Sequence, residues 1–334
     1  MHRRTLIGAA LAIPALAMPA LLGRSAQAQT RLRWAHVYET SEAYHTEALW
    51  AAQQIQQRTN NRWAIEVFPA SALGNEPTIN QGLALGTVDM IYTGASFAGA
   101  TFRPIAISNA PYVFRDYAHF TAYRDSDLMR EMWAGYGRQS GHQALALTYY
   151  GERHVTANRA INRPEDMRGM KLRVPQAPLY LMFTRSVGAN ATPIAFAEVY
   201  LALQQGTVDG QENPLPTIQA KKFHEVQSHI ILTAHITESL LTIVSANTWR
   251  RLNDADKVVF SDVMKEAANR ATTAIREAEA VLPAWFQAQG KTVITPDRAP
   301  FRAAALPLHN DAAAGAGWTR EHYDRLQAIG ARPG

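Results

Sequence analysis

A seven-residue segment of this chain returns, altered, about a domain's length further on. Leu83-Ala84-Leu85-Gly86-Thr87-Val88-Asp89 is echoed by Leu203-Gln204-Gln205-Gly206-Thr207-Val208-Asp209. Each copy reads as a helix end, a glycine suited to a left-handed C-cap, and the start of a strand. A match this short also arises by chance; read as a repeat, it predicts two similar α/β units. The residues before the first copy alternate in the same sense. Arg31–Val37 sets Leu32, Trp34 and His36 against Arg31, Arg33 and Ala35, a strand pattern. Thr40 or Ser41 is placed to cap a helix carrying Leu49, Ala52 and Ile55 on one stripe. Trp63–Phe68 reads as a second strand, Pro77–Leu85 as a helix and Val88–Tyr92 as a third strand. Strands separated by helices predict parallel βαβ units.

The second unit starts near Gly151. His154–Ala157 and Met170–Val174 read as short strands, Gln176–Val187 and Ala197–Gln205 as helices, and Asp209–Glu212 as the start of another strand. Residues 254–289 form one long amphipathic stretch with Val258, Val259, Val263, Met264, Ala267 and Ala271, a helix long enough to brace both units. A last helix is expected near Thr319–Ile329.

The first residues are not part of that pattern. Arg3 and Arg4 precede an apolar, Pro-broken run from Leu6 to Leu22, and Ala26-Gln27-Ala28 is an A-x-A cleavage signal. This is an export signal of the Sec or twin-arginine type, cleaved near Ala28. It holds three arginines and no acid, so 30 basic residues face 28 acidic ones in the rest of the chain. That balance gives no footing for nucleic acid. The absence of cysteine excludes disulfides, Cys-ligated metal and a Cys nucleophile.

Motifs for other chemistry fail by spacing. His224-Glu225-Val226-Gln227-Ser228-His229 has one residue too many for a zinc-protease helix. Gly135-Tyr136-Gly137-Arg138-Gln139-Ser140-Gly141 misses the dinucleotide fingerprint and reads as a loop. Gly94-Ala95-Ser96-Phe97-Ala98-Gly99 misses the nucleophile elbow. No cofactor, metal or catalytic constellation is expected.

Arg173 stands out. It sits between Leu172 and Val174 and is followed by Pro175. A guanidinium in an apolar strand needs an anionic partner, and its planar fork matches a carboxylate. The partner is either a ligand or a neighbouring acid such as Glu165 or Asp166.

The stretch around Arg173 resembles the extracytoplasmic solute-binding proteins of TRAP transporters, whose best-known ligands are C4-dicarboxylates and sialic acid. The pieces that carry the likeness are Asn158-Arg159-Ala160-Ile161-Asn162, Met167-Arg168-Gly169-Met170-Lys171-Leu172-Arg173-Val174-Pro175, Thr192-Pro193-Ile194-Ala195-Phe196-Ala197-Glu198-Val199-Tyr200 and Val208-Asp209-Gly210-Gln211-Glu212-Asn213-Pro214. The resemblance implies an α/β fold of two lobes, with mixed sheets flanked by helices, a long bracing helix and a hinge. Lobe I would hold residues 29–150 and about 239–278, and lobe II 151–238 and about 279–334. Ligand would bind in the cleft between them.

Family likeness also implies roles for single residues. Arg173 would clamp the ligand carboxylate, Arg153 would be a second arginine and Asn213 an assisting amide. Phe196 would pack on the ligand body. Alternatively, Arg153 is a surface residue beside Glu152, Asn213 a turn residue before Pro214, and Phe196 core. Gln176 and His235 are further candidates. The first lobe offers His36, Tyr38, Glu39, Glu76, Tyr92 and Phe97, with Glu76 suited to a hydroxyl or amino group; packing or loop surface is the alternative for each. Sialic-acid binders carry a Glu where this chain has Gly94, which disfavours sialic acid itself. The expectation is a monomeric periplasmic binding protein that is not an enzyme. It would pass an organic acid, with a sugar acid or other hydroxylated carboxylate favoured, to the membrane subunits of a TRAP permease. The alternatives are a secreted α/β hydrolase or lyase, and a binding protein that feeds a sensor.

Overall fold

The computed structural model describes residues 29–330; the export signal read at residues 1–28 lies outside them. One mixed sheet of nine strands runs through these residues, with helices on its faces. Strand β1 (Thr30–Ala35) pairs in parallel with β2 (Trp63–Phe68) and β3 (Met90–Gly94). At the other end β5 (Lys171–Val174) pairs in parallel with β6 (Asn190–Pro193) and β7 (Gly210–Pro214). Two long antiparallel strands, β4 (Gln143–Ala157) and β8 (His229–Val244), join the ends. Strand β9 (Thr292–Ile294) lies parallel to the start of β8.

Both copies of the repeated segment are built alike. Gly86 and Gly206 adopt φ of 73° and 68°, the left-handed region that favours glycine. Thr87 N–H then donates to Gly82 O at 3.0 Å, and Thr207 N–H to Ala202 O at 2.9 Å. Asp89 accepts from Arg33 N–H at 2.8 Å, and Asp209 from Lys171 N–H at 2.8 Å. Each aspartate thus ties the strand that follows it to its parallel neighbour, β3 to β1 and β7 to β5. The weak likeness in sequence marks a true likeness in structure.

Helix α1 (Ala43–Arg58) starts after Glu42, not after Thr40 or Ser41. Its buried stripe is Tyr44, Ala48, Ala51, Ala52 and Ile55, while Leu49 is exposed. Small residues face inward because this helix packs closely on the long one. Helix α2 (Glu76–Leu85) is capped by Asn75, whose Oδ1 accepts from Thr78 N–H at 3.0 Å. A four-residue helix α3 (Ala95–Ala98) follows β3.

Two readings from sequence need correction. The glycine-rich segment 135–141 is not a loop: it closes the helix Asp127–Ser140, with Gly141 at its left-handed end. Gly135 is there for packing, since a Cβ would fall 2.3 Å from the Phe102 ring. The short strand at His154–Ala157 is the end of β4, interrupted in pattern by a register shift at Gly151. There φ is 117° and a Cβ would meet Pro214 at 2.8 Å. His224 and His229, suspected of a near-miss metal motif, lie on different elements, the helix Phe223–Val226 and β8.

The long helix is Asp254–Ala288. Phe260, Val263, Met264, Ala267, Ala271 and Ile275 enter the core around β1, β3 and β4. Leu282 and Phe286 enter a second core with Val199, Leu203, Ile218 and Phe223. One helix therefore braces two cores, and each large side chain buried there stabilises by about 2 kcal/mol. Val258, expected on the inner stripe, is exposed. No helix among the described residues is long and apolar enough to cross a membrane.

Candidate functional site

Strand β5 is flanked by β6 and β7, and beyond the exposed Lys171 its residues are buried. Leu172 and Val174 enter the core, and the residue between them is fully covered as well: Arg173 is 2% exposed. Its Nε and Nη2 donate to Ile194 O at 3.0 and 2.8 Å. Its Nη1 is buried and has no hydrogen-bond partner among the described residues. Neither Glu165 nor Asp166 serves it; Asp166 instead accepts from Asn162 N–H at 2.8 Å and Arg163 N–H at 3.1 Å. Burial lowers the Arg173 pKa to about 10 against the pull of Glu212, so the guanidinium stays charged at neutral pH. The Phe196 ring lies 5.9 Å from its Cζ.

Arg153 is equally buried but fully engaged. Glu212 grips it through both carboxylate oxygens, Nη2 donating to Oε1 at 2.8 Å and Nε to Oε2. Nη1 reaches Glu238 Oε2 at 3.4 Å, and Nη2 also reaches Asn213 Oδ1 at 3.3 Å. It is not a surface residue beside Glu152. Asn213 is engaged at both ends, its Nδ2 donating to Gln211 Oε1 at 2.6 Å. Glu238 accepts from Asn109 Nδ2 at 2.6 Å, from Tyr180 Oη at 2.9 Å and from Ser239 N–H at 3.2 Å. Burial raises the Glu238 pKa against the Arg153 charge. For Glu212 the order reverses: burial pushes it up, but Arg153 and His235 outweigh this and hold it low.

His235 reaches this cluster through an irregular stretch of β8. Between Ile231 and Ile236 the strand makes an excursion opposite Val155 and Arg153, with Ala234 at φ 45°. The excursion stacks His235 on Phe183 at 3.8 Å and brings its Nε2 within 3.1 Å of Glu212 Oε2. Its Nδ1 lies 2.8 Å from Thr233 Oγ1, so a neutral ring donates from Nε2 and accepts at Nδ1. Burial lowers its pKa, which favours that neutral form.

Arg173, Arg153, Asn213 and Glu238 border one cavity of about 450 Å³, counted together with the solvent at its mouth. Arg173, Gln176, Ile194, Phe196 and Asn213 form one wall. Val37, Tyr38, Asn75, Glu76, Pro77 and Phe97 line the cavity from the first part of the chain, and Tyr150, Arg153, Tyr180, Glu238 and Leu240 complete the lining. Glu76 is the first residue of α2, and its Oε1 accepts from Gly94 N–H at 2.9 Å and Thr93 Oγ1 at 3.3 Å. Burial raises its pKa to about 7. Gly94 lies at the edge of the site, where a Cβ would stand 2.9 Å from Tyr180 Oη. Across the mouth Lys221 Nζ bonds Glu39 Oε1 at 2.6 Å and lies 5.1 Å from the Phe196 ring. Beside it the Thr217 hydroxyl bonds Glu42 Oε2 at 2.7 Å and Tyr150 Oη at 2.8 Å.

Of the residues singled out from sequence, Arg173, Arg153, Asn213, Phe196, Gln176, Glu76, Tyr38 and Phe97 meet at this cavity. His235 stands behind it, holding Glu212. His36 and Tyr92 do not line it; both are buried, with His36 3.3 Å from His45 and the Tyr92 ring tilted against Trp34 at 4.8 Å. Glu212, Glu238, Tyr150 and Tyr180 were not singled out. Glu238 carries the same signal as Arg173, a charge inside a strand of apolar and hydroxyl residues; the tyrosines carry none that separates cavity from core.

The sequence matches the family model described as bacterial extracellular solute-binding protein, family 7, over residues 34–315. It is 33% identical over 287 residues to a sialic acid-binding periplasmic protein of Vibrio cholerae, covering 86% of this chain and 89% of that one. Its fold is similar to a TRAP periplasmic solute-binding protein of a Polaromonas species bound to D-erythronate, with TM-score 0.86, 31% identity, and 91% of this chain and 100% of that one covered. It is similar also to one from Roseobacter denitrificans with bound L-galactonate, with TM-score 0.84, 29% identity, and coverage of 91% and 99%.

Proposed function

This chain belongs to the bacterial extracellular solute-binding proteins of family 7, the binding proteins of TRAP transporters, and we propose that it captures a hydroxylated monocarboxylate, with Arg173 as the anchor of the carboxylate. The observation that carries the reading is the buried Arg173 guanidinium, which lines the cavity with Nη1 unpartnered and no acid within ion-pair reach among the described residues. A desolvated guanidinium binds a carboxylate by charge-assisted hydrogen bonds. The lining from the first part of the chain offers the Tyr38 hydroxyl and the Glu76 carboxyl, partners for ligand hydroxyls. Erythronate and galactonate in the two similar structures are acids of this class.

In this reading Asn213 and Gln176 assist at the carboxylate end, and Phe196 covers the ligand body. Arg153 acts through its ion pairs, holding the lining of the site. Residues 29–150 with about 239–278 form the lobe that carries Glu76, and residues 151–238 with about 279–334 the lobe that carries Arg173. Closure of one on the other is held by the Lys221–Glu39 and Thr217–Glu42 contacts and favoured by ligand. The protein works without turnover as a monomer in the periplasm, reached through the signal at residues 1–28, and hands its ligand to the permease.

The test is calorimetric titration of the mature protein with aldonates, uronates and short hydroxy acids. Arg173→Ala is expected to fold and to lose affinity at least about a hundredfold, as a charged hydrogen-bonded contact is lost in a dry site. Arg173→Lys is expected to be nearly as weak, because an ammonium lacks the fork. Wild-type affinity in either variant refutes the assignment.

A further inference from the structure

Two carboxyl groups, Glu76 and Glu238, and two guanidinium groups line the cavity, with Glu212 behind Arg153, and their pairing is uneven. Glu212 and Glu238 are both bound to Arg153. Glu76 has no cation within ion-pair distance among the described residues, and neither has Arg173 an anion. Glu76 Oε1 is held by Gly94 N–H and Thr93, and Asn80 Nδ2 fixes that threonine by donating to its Oγ1 at 2.8 Å. Oε2 makes no hydrogen bond among the described residues. The cavity lining thus carries one uncommitted positive group on β5 and one uncommitted acidic group on α2, elements that belong to opposite ends of the sheet.

We propose that Glu76 is a specificity-determining residue that makes this cavity accept one carboxylate and refuse two. The inference rests on Arg173 as the carboxylate anchor. A ligand seated there extends toward Glu76. A hydroxyl on its far end donates to Glu76 Oε2; a second carboxylate meets a like charge in a partly dry site, with no cation left to balance it. Such juxtaposition costs enough to reject a partner outright. The charged and titratable groups around Glu76 do not change that sign. Arg153 is already neutralised by Glu212 and Glu238, and Tyr38 and Tyr180 are kept neutral by burial. Because burial lifts Glu76 to about 7, the filter is at full strength only above that pH.

Matched acid pairs test it: erythronate with tartrate, gluconate with glucarate, and galactonate with galactarate, each pair differing by one terminal carboxylate. Binding is measured calorimetrically at pH 8. The wild type is expected to bind the monocarboxylate of at least one pair and its diacid at least about thirtyfold more weakly. Glu76→Gln keeps the Gly94 contact and is expected to shrink that ratio tenfold or more by gaining the diacid. Glu76→Asp, which keeps the charge, is expected to go on rejecting it. Unchanged discrimination in Glu76→Gln with intact monocarboxylate binding overturns the filter and leaves Arg173 standing. Equal wild-type affinity within a pair, or diacid binding by Glu76→Asp, overturns it as well. A wild type that binds none of the six acids overturns the Arg173 reading and this inference with it.

Discussion

Arg153 and Arg173 are each 2% exposed, yet only one of them is paired with carboxylates. The difference lies in β7, where Glu212, opposite Val155, reaches diagonally to Arg153 on β4, while Arg173 on the far side finds only the Ile194 carbonyl. Glu212→Gln is therefore expected to cost about 3 kcal/mol in urea unfolding, because it leaves a buried guanidinium with Glu238 alone. A loss below about 1 kcal/mol would show that Glu238 suffices. Arg173 was legible in the sequence because a charge amid Leu and Val has few bland explanations. Glu238 was legible by the same rule, standing in a strand of Thr, Ser and Leu. Arg153 was located but its role was not, since its partner lies 59 residues away in a strand whose pairing the sequence does not state. His36 and Tyr92 look like ligand contacts on any strand; which side of the sheet the cavity occupies decides the matter, and only the fold supplies that.

Among the elements, the helix–glycine–strand units were the most legible, because a left-handed glycine and an aspartate one strand-start later are local devices. The joining strands were least legible. Bulges at Gly151 and at residues 232–235 break the alternation of β4 and β8, so each looks shorter in sequence than it is. The long helix was visible by its period, but its anchorage was not. Asp256, in the first turn, accepts from the Trp63 indole at 2.9 Å and pairs with Arg62, tying the helix to β2. Burial pushes this carboxyl up, but Arg62 and Trp63 outweigh it and the net pKa lies below 3.8. A carboxyl lowered in the folded state stabilises above its unfolded pKa, and the gain disappears as pH falls through the folded value. Asp256→Asn is accordingly expected to cost about 2 kcal/mol at pH 7 and progressively less below pH 4. Urea unfolding of both proteins at the two pH values checks this; an equal gap at both would mean that charge is not what holds the helix end.

At the scale of the molecule, two sets of buried groups pull the pH dependence of stability in opposite directions. Burial drives His36 down to about 3, and it lowers His154, His235 and His309 as well. Below pH 6.5 the unfolded chain takes up these protons and the folded one does not, so stability falls on acidification. Burial also lifts the carboxyls of Glu42, Glu76 and Glu279 to about 7. Their folded pKa is raised, so their contribution is complete below the unfolded value of 4.5 and is lost as pH rises through 7. Above pH 6.5 the carboxyls lower stability as they ionise, while the unfolded histidines, half protonated at 6.5, shed the rest of their protons and raise it, so the two limbs overlap up to about pH 7.5. The three carboxyls together take away about 2 kcal/mol between pH 6.5 and 8, and the four histidines give back about 1.5 kcal/mol over the same interval, so the net change is under about 1 kcal/mol. Two of these carboxyls are held by several partners: Glu42 bonds Thr217, and Glu279 accepts from Glu152 N–H at 2.7 Å and Tyr149 Oη at 2.8 Å. Replacing two of the three, Glu42→Gln with Glu279→Gln, is expected to keep the acid limb and to make stability rise between pH 6.5 and 8 by about 1.5 kcal/mol relative to the wild type. Calorimetric melting of ligand-free protein from pH 5 to 9 reads both limbs. A double variant whose curve runs parallel to that of the wild type from pH 6.5 to 8 would place the neutral-range proton release elsewhere than in these carboxyls.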